Sequence, residues 1–358
     1  METKRMLHII EDLSNANGAS GFEDEVLTVL RKHGDGLGKF EEDSLRNLYL
    51  SRTENQGKRP VVQLDAHSDE VSFMVQAIKP NGTLRFITLG GWVANNIPAH
   101  RVKVRNADGE YIPGVVASKP PHFMSEAERN KPASVDDMVI DIGASSAEEV
   151  INDYKIRMGA PVVPDVRFEY NEARDLMIGK AFDCRLGCAS ILGTLNELKG
   201  QKLGLDVVAG FSTQEEVGTR GASVTCNQIK PDLAIVFEGC PADDTFSEPY
   251  MIQTAIKHGP MLRHIDARMI TNPRFQRFAL DFAGKSGIPV QESVRTGGST
   301  NGAPIHLSNS SVPVIVIGLP VRYIHSHYGI ASFTDCTNAV NLAAGLLRNL
   351  SANIVKSF

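Results

Sequence analysis

The sequence predicts an α/β protein: a mixed, largely parallel sheet sandwiched by helices, with an inserted β-rich domain. Three observations carry this. Apolar, β-branched runs of strand length at 205–212 (LDVVAGFS), 232–238 (DLAIVFE) and 312–319 (VPVIVIGL) alternate with segments of helical spacing at 186–199, 273–286 and 336–351. Continuous apolar strands between helices imply a sheet buried on both faces. Between about 72 and 173 the pattern breaks into short β segments with turn punctuation. The length of 358 residues also exceeds what one core usually organises, so a second unit is expected.

The elements follow in order. A helix occupies about 4–15, and the turn GASGFEDE follows at 18–25. Ser20, with Glu23 three residues on, reads as a capping box opening a second helix near 21–33. The short apolar strand 61–64 runs directly into Asp65-Ala66-His67-Ser68-Asp69-Glu70. Asn81-Gly82 and Asp108-Gly109 each sit between apolar runs, a hairpin signal, and DMVIDIG at 137–143 reads as a further strand. A Pro- and Lys-rich loop fills 118–132. The expected division is therefore one α/β domain from 1–71 and 174–358, interrupted by a β-barrel-like insert at 72–173.

Composition narrows the function. A net charge of -5 provides no basic footprint for nucleic acid and no cationic face for a membrane. No apolar run approaches the roughly 20 residues that span a bilayer, and the first residues lack a secretory signal pattern. Five cysteines without framework spacing suggest reduced thiols, hence a cytoplasmic location. Cys184 and Cys188 have no second pair at zinc-finger spacing and read as buried packing thiols.

Metal-competent residues recur immediately after apolar strands. His67 and Asp69 follow 61–64, Asp183 follows LMIGKAF, Glu215 and Glu216 follow 205–212, Glu238 ends 232–238, and His325 follows 312–319 after a short loop. Each alone has an ordinary explanation; two adjacent glutamates, for instance, complement a helix N-terminus. Ligands in open α/β sheets bind beyond the carboxyl ends of the strands, so the joint pattern points to one site. Two divalent cations need a shared carboxylate, about two further ligands each and a non-ligating carboxylate to move a proton. Such an N/O set fits zinc, cobalt or manganese. Asp69, two residues after His67, is placed to hold that imidazole.

The motifs DAHSDE (65–70), AFDCRLGCA (181–189), STQEEVGTRGA (212–222), FEGCPADD (237–244) and PVRYIHS (320–326) resemble those of the glutamyl aminopeptidase/FrvX/TET family of dinuclear metallopeptidases. SGFE (20–23), KPPH (119–122), HGPMLR (258–263) and GGST (297–300) extend the likeness along nearly the whole chain. The resemblance implies an aminopeptidase acting on peptides with two divalent metal ions per subunit, zinc or cobalt first and manganese next. It implies that Asp183 bridges the metals, that His67 and Glu238 complete one site, and that Glu216 and His325 complete the other. Glu215 becomes the general base, and Asp69 orients His67. It further implies dimerisation through the insert and a homo-oligomer, commonly a hollow dodecamer.

Three positions depart from the family pattern. Cys184 stands where Asn is common, Glu238 where Asp is frequent, and the loop Gly297-Gly298-Ser299-Thr300-Asn301 lacks the usual aspartate. The loop change raises a non-catalytic assembly scaffold as a rival, and an N-acyl amidase on the same metal pair is the rival within enzymes. His122 and His327 lie in or beside the matching motifs but read as ordinary structural histidines, while Arg322 and Tyr323 read as fixing the loop that presents His325.

Overall fold

The structure, a computed structural model, describes residues 2–358. Its centre is an eight-stranded sheet in the order Gly38–Glu42, Leu48–Arg52, Asp206–Ser212, Val61–His67, Leu233–Pro241, Val314–Val321, Met261–Ile265, Gln291–Val294. The third to sixth of these run parallel, and they are the β-branched apolar runs of the sequence. Antiparallel neighbours flank them, Leu48–Arg52 on one side and Met261–Ile265 on the other, so the sheet is mixed and largely parallel. One hydrophobic core joins this sheet to the helices Thr3–Asn15, Phe182–Glu197 and Phe333–Asn349.

Six strands form a closed barrel in the order Ser72–Ile78, Leu84–Leu89, Val139–Asp141, Tyr111–Ala117, Arg101–Arg105, Pro161–Pro164. Its interior is a separate cluster built on Phe73, Leu84, Phe86, Val102, Val116, Ile140 and Val162. Closure leaves the barrel without free sheet edges. Among the described residues no helix is long and apolar enough to cross a membrane.

Several local expectations shift. The second helix is Asp24–Gly34, with Glu23 at its N-cap, so Ser20 caps nothing; its hydroxyl has another partner, described below. The 232–238 strand continues to Pro241, which places Glu238 inside it. The helix expected from 186 begins at Phe182, yet Asp183 and Cys184 are not helical and the peptide joining them is cis.

Candidate active site

Parallel register sets the stage. His67 is the last residue of its strand and lies level with Ser212 of the next, so the following Glu215 and Glu216 turn over the same edge. On the other side Asp65 is level with Val236, which puts His67 beside Glu238 two residues further on. Glu238 is in turn level with Gly318, whose strand leads out to His325. The bend at Asp183 drops its carboxylate between the two histidines.

All five candidate ligands come together. His67 Nε2 lies 3.2 Å from Asp183 Oδ1, 3.4 Å from Glu238 Oε1 and 4.0 Å from Glu215 Oε2. His325 Nε2 lies 3.4 Å from Asp183 Oδ2 and 3.6 Å from Glu216 Oε2. Two ligand-competent sets thus share Asp183, each with its ligand atoms within 4.8 Å of one another. The other nitrogen of each ring is also engaged: His67 Nδ1 lies 3.1 Å from the Asp69 backbone carbonyl oxygen and 3.3 Å from Asp69 Oδ1, and His325 Nδ1 is 2.8 Å from the Gly91 carbonyl oxygen. Gly91 follows a barrel strand, and a backbone carbonyl leaves no mark in a sequence.

The loop between the first two helices forms a rack for the acidic turn. Glu23 Oε1 accepts the N–H of Gln214 at 3.2 Å and that of Gly21 at 2.9 Å. Asp69 accepts the N–H of Glu215 on Oδ1 at 2.9 Å and that of Glu216 on Oδ2 at 3.2 Å. The Ser20 hydroxyl donates to Asp69 Oδ2 at 2.6 Å, which is the partner that displaced the capping role. Two buried carboxylates therefore hold three consecutive amides, next to the positive φ of Gln214.

Charge in the cluster is frustrated. Burial, aided by Glu238 and Asp69, pushes Glu215 up to about 8. Burial also pushes Glu238 up to about 8 and, with Asp183, raises Glu216 well above the carboxylate range. Against burial, hydrogen bonds from His325 and His67 hold Asp183 well below it. Burial opposes charge on His325 as well, but Asp183 and Glu216 lift it to about 9. Glu216 Oε1 and Glu238 Oε2 are buried with no hydrogen-bond partner among the described residues. Crowded buried acids with unpaired oxygens have the chemistry of a site for dications. The donor set fits the metals.

Cys184 belongs to neither set chemically. Its thiol donates to the Phe237 carbonyl at 3.2 Å, and burial raises it well above its ordinary value, so it stays a thiol. Cys188 likewise donates to the His67 carbonyl at 3.1 Å. The loop without its aspartate meets a carboxylate from elsewhere: Asn301 Nδ2 donates to Asp65 Oδ1 and to Ser212 Oγ, both at 2.7 Å. Burial pushes Asp65 up to about 6.

His122 is exposed in its loop and stands outside the two sets. His327 is buried and stacks on His100 with ring centroids 4.1 Å apart, beside Trp92. Arg322 pairs with both oxygens of Asp244 at 2.9 and 2.6 Å, bracing the loop before His325, while Tyr323 is exposed.

The cluster floors a cleft of about 610 Å³ whose walls include Arg263, Arg268, Arg295, Met261 and Ser299. Arg263 pairs with Asp266 at 3.2 Å and Arg295 with Asp243 at 2.9 Å. Arg268 is exposed, and its guanidinium has no ion pair among the described residues.

The sequence model of the M42 glutamyl aminopeptidase family matches residues 47–342. Over 348 residues the chain is 31% identical to the glutamyl aminopeptidase of Lactococcus lactis subsp. cremoris, covering 97% of each. The TET aminopeptidase of the marine sediment archaeon Thaumarchaeota archaeon SCGC AB-539-E09 is 34% identical, with a TM-score of 0.94 over 99% of both chains. The Pyrococcus horikoshii TET1 peptidase, which can assemble into a tetrahedron or a large octahedral shell, shares the fold at 24% identity, with a TM-score of 0.86 over 96% of this chain and 100% of that one. A match that takes in most of the chain and all seven site residues leaves one assignment: the protein belongs to the M42 glutamyl aminopeptidase family, and it is an aminopeptidase, a metal-dependent hydrolase of peptides.

Proposed function

We propose that the chain removes N-terminal residues, acidic ones by preference, at two divalent cations held by the cluster. His67, Asp183 and Glu238 hold one ion, and Asp183, Glu216 and His325 hold the other, with Asp183 shared. When bound, such a pair polarises the scissile carbonyl and brings the pKa of a water from about 15.7 down to about 7. The chemistry of the donors suits zinc or cobalt first, and manganese after them.

Glu215 is the group left to move protons. It lies in the cluster, 4.0 Å from His67, while its backbone N–H is fixed by Asp69. Its carboxylate takes the proton of the attacking water and returns it to the leaving amine, and burial favours the protonated form between those steps. Asp69 keeps His67 aimed through Nδ1.

Preference for an acidic residue follows from charge. Two dications balance the four cluster carboxylates, and the Asp partners balance Arg263 and Arg295. Arg268 then stands as the uncompensated cation on the cleft wall, the counter-charge for a substrate carboxylate.

We infer a homo-oligomer in which barrels pair chains into dimers and the dimers build a dodecamer. The exposed Phe246, Tyr250 and Met251 supply apolar surface for such contacts, and the TET1 relative assembles into shells. The five cysteines are free and buried, in keeping with the reducing cytoplasm.

The observation that carries the reading is the sharing of Asp183 between two imidazole–carboxylate sets. It is tested by turnover of aminoacyl-p-nitroanilides on metal-stripped and metal-reloaded protein. Glutamyl and aspartyl substrates should lead, with activity returning only on reloading. Faster cleavage of N-acylated peptides, or activity indifferent to metal, would overturn it.

A further inference from the structure

A third group of metal-competent side chains lies outside the cleft, on the two N-terminal helices. His8 and Asp12 are four residues apart on Thr3–Asn15 and so project from one face of that helix. His33, in the last turn of Asp24–Gly34, meets them from the neighbouring helix. Asp12 Oδ2 lies 2.8 Å from His33 Nε2 and 3.5 Å from His8 Nε2, and one ligand atom from each residue falls within 4.8 Å of the others. The two imidazoles meet edge-on with centroids 5.4 Å apart.

We propose that His8, Asp12 and His33 form a separate site for a divalent transition-metal ion, zinc by its ligand chemistry, which clasps the two helices together. A tetrahedral zinc bonded at about 2.0–2.1 Å keeps its ligands about 3.3–3.5 Å apart. The His8–Asp12 pair, at 3.5 Å, already has that spacing, and the His33–Asp12 pair, at 2.8 Å, reaches it by opening roughly half an ångström or slightly more.

Lys32 is the resident competitor, with Nζ 2.8 Å from the same Asp12 oxygen. Its side chain is 60% exposed, so the ammonium leaves to water at little cost when a dication arrives. With three protein ligands the fourth position stays open to solvent.

The test is a zinc titration of metal-stripped, full-length protein, read by equilibrium dialysis. Wild type should take up about three equivalents per chain, and His8→Ala about two, with peptide hydrolysis unchanged. His8 is 56% exposed, so this variant keeps the fold; His33→Gln is the second, reaching the same stoichiometry from the other helix. In a His325→Ala background the clasp ion should remain, which separates this site from the catalytic pair. Anomalous diffraction at the zinc edge should place a peak between His8 and His33. Equal stoichiometry for wild type and His8→Ala, or no such peak in zinc-loaded crystals, overturns the proposal.

Discussion

Asp69 and Glu215 are tied backbone to side chain: the Asp69 carboxylate takes the Glu215 N–H on Oδ1 at 2.9 Å, and the same oxygen lies 3.3 Å from His67 Nδ1. One buried carboxylate therefore sets both the proposed base and a proposed ligand. Asp69→Asn keeps the volume but turns one acceptor into a donor, facing the Glu215 N–H in one orientation and the Glu216 N–H with the Ser20 hydroxyl in the other. Metal affinity should fall about 10–100-fold, as for other groups that orient ligands, and kcat should fall with it. Isothermal titration with zinc and steady-state kinetics read both. Wild-type affinity and turnover together would dismiss the role.

Glu215→Gln removes the proton acceptor and keeps the hydrogen-bonding shape. Fold and metal content should persist while kcat drops about 10²–10⁴-fold, the usual worth of general-base help. Full turnover with metals in place would move the base elsewhere.

Glu23 makes a prediction in pH. Burial, reinforced by Asp69, pushes it up to about 8 from an ordinary 4.5. Its folded value lies above its unfolded one, so protonation contributes stability that is full below pH about 4.5 and is lost as pH rises towards about 8. Glu23→Gln, which has nothing to titrate and still accepts on its amide oxygen, should flatten that slope between pH 5 and 8 in denaturant melts and keep kcat. Glu23→Leu removes the acceptor for the Gln214 N–H and should lower kcat about tenfold or more with metals retained, a loss of the kind a missing positioning hydrogen bond gives. An unchanged slope in Glu23→Gln would show that this carboxyl titrates as an exposed one does.

The parallel core and the cluster were legible for one reason: strand ends in a sheet buried on both faces converge, and acids and imidazoles stood at those ends. His67, Glu215, Glu216, Glu238 and His325 are therefore found from periodicity plus position, whereas Asp183 follows Leu176–Gly179, a strand of a separate three-stranded antiparallel sheet. The supports were not legible. Ser20 followed by Glu23 satisfies the capping spacing, yet both side chains reach across to residues far along the chain, and tertiary contacts outweigh a local cap. The Gly91 carbonyl that orients His325 is backbone and leaves no residue-type signal. Asn301 looked like a lost acid because only its own loop was in view; its partner Asp65 lies 236 residues away.

Arg268 should govern specificity without touching chemistry. Arg268→Ala removes a wall cation that has no ion pair among the described residues, so KM for glutamyl and aspartyl substrates should rise about tenfold, the worth of a charged hydrogen bond, with kcat little changed. Leucyl substrates should be nearly indifferent. An equal change for acidic and neutral substrates would remove Arg268 from the recognition of charge.

Gly239 gives the sharpest steric forecast. A Cβ there would sit 2.7 Å from both Cα and Cβ of Asp183 and 2.8 Å from its Oδ1. Those atoms include backbone at a bend, so they cannot swing aside as a flexible side-chain tip does, and the shared carboxylate must move. Gly239→Ala should cost about 1–3 kcal/mol of stability from overpacking. Because Asp183 serves both ligand sets, both ions should be lost together instead of one. Gly284 is the matched comparison: it lies inside the helix Pro273–Ser286 with nothing within 4 Å of its would-be Cβ. Gly284→Ala should therefore be neutral or stabilising by up to about 1 kcal/mol through helix propensity. Metal content by mass spectrometry beside a thermal melt decides it: a Gly239→Ala protein that keeps one ion per chain would mean that Asp183 does not serve the two sets jointly.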